Sequence, residues 1–129
     1  YLESSQIYKM IESGFHFGAH SIDHPPYAIL TLEEQLNQTQ KSVAFLAERF
    51  NLKYAAFAFP HSDHGVSQQF FNHIYGSDDL DILFGTSGLR CESRPKHFQR
   101  FSMERTYNSA ARIIAKEYGK AIIKPLLGL

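Results

Sequence analysis

Tyr54-Ala55-Ala56-Phe57-Ala58-Phe59 is the stretch that most narrows what this chain can fold into. Six apolar residues without a polar interruption suit a strand covered on both faces, the usual situation of strands in parallel sheets. Pro60 closes the run. The segment before it is a helix pattern: Thr31-Leu32-Glu33-Glu34 has the form of a capping box, and Leu32, Leu36, Val43, Leu46, Ala47 and Phe50 carry an apolar stripe to Asn51.

The same alternation of helix and strand extends in both directions. Upstream, Ser4 or Ser5 caps a short helix with Ile7, Met10 and Ile11 at helical spacing, ended by Ser13-Gly14. The alternating Phe15, Phe17 and Ala19 then predict a half-buried strand. Downstream, Ser67 caps a helix over Gln68 to Tyr75, Leu80 to Phe84 reads as a strand, and Gln99 to Met103 as a short fourth one. Asn108 is expected to cap a last helix marked by Ala111, Ile114, Ala115, Tyr118 and Ile122 and broken by Lys124-Pro125. This order predicts an α/β fold with a mainly parallel sheet.

At 129 residues the chain is read as a single domain spanning 1–129, too short for a complete eight-stranded barrel. It opens on Tyr1 in what already looks like a helix pattern, so it is expected to be a piece of a longer protein. Exposed strand edges in such a piece predict pairing between copies, a homo-oligomer. Thirteen basic and thirteen acidic side chains balance, which argues against a nucleic-acid or membrane-surface partner, and no apolar run approaches a membrane span. The one cysteine, Cys91, excludes an intrachain disulfide but leaves both a cytoplasmic and a cell-envelope location open.

Polar chemistry gathers after two of the predicted strands. Gly18-Ala19-His20-Ser21-Ile22-Asp23-His24-Pro25-Pro26 sets two imidazoles four positions apart, and the prolines stiffen the loop. His61 and His64 follow Phe59-Pro60. Loops after parallel strands open on one edge, so the four imidazoles are expected around one cleft. Spacing alone leaves a metal site and ordinary polar turns both open, because a metal site needs a third protein ligand.

These residues resemble a known family. Gly18-Ala19-His20-Ser21-Ile22-Asp23-His24-Pro25 resembles the second motif of the polysaccharide deacetylases (carbohydrate esterase family four), His-Ser/Thr-x-x-His. Phe57-Ala58-Phe59-Pro60-His61-Ser62 is similar to the third motif, and the likeness extends loosely over residues 7 to 105. It implies a partial or distorted (β/α) barrel and the metal-dependent hydrolysis of an N- or O-acetyl group on a carbohydrate. It further implies that His20 and His24 bind a divalent metal, for which imidazoles suit zinc, nickel or cobalt. Ser21 and Asp23 would support those ligands, Asp23 through an imidazole N–H. His61 and His64, followed by His97, are the candidate general acids. Pro60, Tyr27, Phe59 and Tyr107 are expected to contact the sugar.

The chain also departs from the family pattern. The Thr-Phe-Asp-Asp-Gly segment that supplies a metal-binding aspartate and the base is absent, and Asp78-Asp79 precedes a strand instead of following one. Ala58 stands where arginine is usual, and His61 where an aromatic residue is usual. There is no tryptophan for the fourth motif and no Leu-x-x-His. Two other readings therefore stand beside the hydrolase: a catalytically degenerate domain that binds carbohydrate or a partner, and a metal-binding module in which four imidazoles replace the carboxylate.

Overall fold

The computed structural model describes residues 2–77, 79–89, 93–104 and 109–126. Asp78, Cys91, Tyr107 and the expected cap Asn108 lie outside the described residues. The elements run α1 (Ser4–Glu12), a 3-10 turn (Tyr27–Ile29), α2 (Leu32–Phe50), β1 (Ala56–Ala58), α3 (Gln68–Gly76), β2 (Ile82–Gly85), β3 (His97–Gln99) and α4 (Ala110–Leu126). The three strands form one parallel sheet in the order β1-β2-β3. The fold is α/β, and among the described residues the sheet is open.

Local chemistry explains where the helices begin. Thr31 Oγ1 accepts from the Glu34 N–H at 3.3 Å while Glu34 Oε2 accepts from the Thr31 N–H at 2.8 Å, the reciprocal pair that the sequence pattern predicts. Ser67 Oγ likewise accepts from the Phe70 N–H at 3.2 Å. At α1 the cap is Glu3, not Ser4 or Ser5, and Gln6 Oε1 accepts from its N–H at 2.8 Å. The last helix continues past Lys124-Pro125 to Leu126, one residue beyond the expected break.

Strand expectations need three corrections. The run at Phe15 to Ala19 contributes a single bridge, Ala19 to Phe57, in which Ala19 N donates to Ala56 O and Ala58 N to Ala19 O. The Phe17 N–H is taken instead by the Tyr54 hydroxyl, and Phe15 is exposed. The expected fourth strand over Gln99 to Met103 is instead β3 at His97–Gln99, sharing only Gln99 with the expectation, with buried His97 opposite Leu83. Finally, β1 is covered on one face only. Phe57 and Phe59 are fully buried, whereas Ala56 and Ala58 line an open cavity of about 600 Å³ together with Ile82 and Phe84.

The core therefore lies between the sheet and the helices. Phe57, Phe59 and Leu83 meet Phe70, Phe71 and Ile74 of α3, with Leu36, Val43 and Leu46 of α2 packed against them. This slab packs against the strands, and the histidine loops leave from their C-terminal ends.

Candidate metal centre

The parallel pairing brings the ends of residues 15–19 and of β1 to one edge, and their loops meet there. His20 Nδ1 lies 2.7 Å from the Ala58 carbonyl. A carbonyl only accepts, so Nδ1 carries the proton and Nε2 presents a lone pair. The His24 Nε2 is 3.1 Å from that Nε2, with the two rings edge to face at 4.8 Å. Two imidazoles on one ion at about 2.0–2.1 Å hold their nitrogens roughly 2.9–3.4 Å apart for angles from square to tetrahedral. The observed separation falls inside that window. A ligand imidazole whose other N–H is held by a carbonyl is also the usual supporting arrangement of metal sites. Hence the two histidines fit two positions of a divalent metal's donor set.

Further contacts fix the loop. Ser21 Oγ accepts from the His24 N–H at 3.0 Å. Gln38 of α2 reaches across, its Oε1 accepting from the N–H groups of Ile22 and Asp23 at 2.9 and 3.1 Å, while its Nε2 donates to Asp23 Oδ2 at 2.8 Å. Asp23 therefore clamps the loop to α2 instead of meeting an imidazole N–H; for His20 that place is taken by the Ala58 carbonyl. Ser21 and His24 both hold left-handed backbone, at φ 68° and 56°. Such conformations are costly for residues with a Cβ and persist where the surroundings over-determine them.

Of the second histidine pair, one member joins the first. The His61 ring sits edge to face on His24 at 4.5 Å, and its Nε2 donates to the His24 carbonyl at 3.2 Å. His64 is exposed and makes none of these ring contacts. Among the described residues no group of three or more His, Cys, Asp or Glu side chains converges as a metal cage, so four imidazoles do not gather on one ion there.

The residues expected to contact the sugar lie in the core. Tyr27, Phe59 and Pro60 are fully buried, away from the surface of the cleft. The 3-10 turn swings Tyr27 into the core, where its hydroxyl pairs with Thr39 Oγ1 at 2.9 Å. Burial pushes that phenol up to about 12, against the opposing Thr39 hydrogen bond. The His97 side chain is likewise wholly out of solvent. Its Nε2 lies 3.3 Å from Asp63 Oδ2, and its Nδ1 has no partner among the described residues.

Sequence reasoning missed Asp63. Its Oδ2 also accepts from Gln99 Nε2 at 2.7 Å, and its Oδ1 from the Thr86 N–H and the Ser87 hydroxyl, both at 3.2 Å. Burial alone would raise this carboxyl, but the hydrogen bonds from His97, Gln99 and the Thr86 backbone outweigh it and hold the group well below the usual carboxylate range. A folded pKa below the unfolded value gives stability that is present above about pH 4 and is lost as pH falls toward the folded value. Urea midpoints measured from pH 5 to pH 2 should therefore drop more steeply for the wild-type protein than for Asp63→Asn. Parallel slopes would remove this carboxylate as the cause.

The paired imidazoles lie at the C-terminal edge of a parallel α/β sheet, the edge at which such sheets hold their ligands. The polysaccharide deacetylase family model matches residues 3–72, more than half of the chain and including both histidine loops. The chain belongs to the polysaccharide deacetylase family. No curated protein matches it, and no solved structure does.

Proposed function

We propose that this chain forms part of the active site of a metal-dependent carbohydrate deacetylase, with His20 and His24 as two ligands of a divalent ion, zinc by preference and nickel or cobalt by chemistry. The observation that carries the reading is the 3.1 Å approach of the two Nε2 atoms, with the His20 tautomer set by the Ala58 carbonyl. When bound, the metal would polarise an acetyl carbonyl and acidify water. The chain's own residues orient and enclose. Ala58 O and Ser21 hold the imidazole pair, and Gln38 with Asp23 closes the loop onto α2. His61 covers the pair from the β1 side, where its backbone N–H is a candidate donor to an oxyanion. His64 remains the exposed candidate for delivering a proton to the leaving group. A carboxylate outside the described residues would complete the donor set and act as base.

The open face of the sheet supports the larger architecture. Parallel sheets are normally covered on both sides, and here Ala56, Ala58, Ile82 and Phe84 line a cavity of about 600 Å³. We read the chain as one section of a (β/α) barrel whose other strands, or a second copy, cover that face. The test is acetate release from N- and O-acetylated oligosaccharides with Zn²⁺ or Co²⁺ supplied and then chelated. Release that stops on chelation supports the reading. Metal binding without any release favours the degenerate carbohydrate-binding domain, the alternative that the missing third ligand among the described residues supports.

A further inference from the structure

We propose that Asp63 is a positioning residue that sets His61 against the metal-binding pair, an inference that rests on His20 and His24 being the ligands. The connection is continuous. Asp63 Oδ1 accepts from the Thr86 N–H at 3.2 Å, and Thr86 Oγ1 in turn donates to the His61 carbonyl at 2.9 Å. The His61 ring then donates through Nε2 to the His24 carbonyl at 3.2 Å. One buried carboxylate thus ties the loop after β1 to the ends of β2 and β3, through Ser87 on one side and through Gln99 and His97 on the other.

Two further observations indicate that this junction is tightly specified. His61 and His24, the residues it joins, both have left-handed backbone, at φ 54° and 56°. Positive φ is uncommon outside glycine even though histidine tolerates it better than most residues, and two such residues in contact indicate a backbone held by its surroundings. Gly85 lies under the carboxylate with no space for a methyl group: a Cβ there would sit 2.3 Å from Asp63 Oδ2 and 2.4 Å from Gln99 Oε1. The sheet end is shaped around this carboxylate.

The test uses the full chain, free of metal and then titrated with Co²⁺. In the metal-free protein, long-range ¹H–¹⁵N spectra of the imidazoles report whether His61 holds its proton on Nε2. Asp63→Asn and Thr86→Val should both loosen that preference and weaken Co²⁺ binding, by less than the ~10–100-fold that loss of a direct partner of a ligand histidine costs. Thr86→Val removes only the hydroxyl link, so it decides the matter should Asp63→Asn not fold. A folded Thr86→Val protein with the His61 tautomer unchanged overturns the proposal, and so does a changed tautomer with unchanged Co²⁺ affinity. Failure of the metal reading appears separately: the wild-type protein would then bind no Co²⁺, while the tautomer still reports on Asp63.

Discussion

Phe59→Ala should destabilise the protein by about 3–5 kcal/mol, the range for removing a large aromatic ring from a packed core. Phe59 is fully buried and sits at the centre of the aromatic cluster, with ring centroids at 5.2 Å from Tyr27, 5.3 Å from Phe57, 5.7 Å from Phe70 and 6.0 Å from Phe71. Domains of this size hold only about 5–15 kcal/mol in total, so the loss takes a large share of the margin. Phe59→Leu keeps much of the volume and should cost less. Urea denaturation separates this from the role in sugar stacking that the sequence suggests. A variant of wild-type stability with weakened oligosaccharide binding would return Phe59 to the substrate site.

The contrast between Phe59 and His20 shows what kind of information the sequence held. Both follow apolar residues near a strand end, and both are reasonable cleft residues on pattern alone. Which way each turns depends on register, and register was the weak point. A run of six apolar residues carries no alternation to distinguish its faces, so Phe59 and Pro60 could not be assigned inward before β1 was seen to have one covered side. The starts of α2 and α3 are legible, because the Thr31–Glu34 and Ser67–Phe70 contacts are made within four residues, whereas the α1 cap is Glu3 and not the expected serine. The His20 and His24 spacing was legible for the same reason of locality.

What supports that pair was not legible. Ala58 acts through a carbonyl that every residue possesses. Gln38 lies fourteen positions beyond His24 on a helix whose polar residues otherwise look like a solvated face. Asp63 draws its partners from Thr86 to Gln99, a range set by the parallel crossover and by no local motif. The one available hint was Gly85, a small residue at a strand end, whose crowding is apparent only in three dimensions.

His20→Ala should lower affinity for Zn²⁺ or Co²⁺ by more than about 100-fold, beyond the upper end of what a lost supporting contact costs. The size follows from the number of donors. With two imidazoles converging and no third protein ligand among the described residues, removing one halves the donor set of the chain. His24→Ala should have the same effect. Gln38→Ala should fall between these variants and the wild type, since it frees the loop backbone at Ile22 and Asp23 while leaving both imidazoles in place. His64→Ala should leave metal affinity unchanged, because its ring is not in contact with the pair; an effect as large as that of His20→Ala would instead revive the four-imidazole module. Calorimetric titration of the four variants orders them directly. If His20→Ala binds within twofold of wild type, the close approach of the two Nε2 atoms is a hydrogen bond in a polar turn and no more.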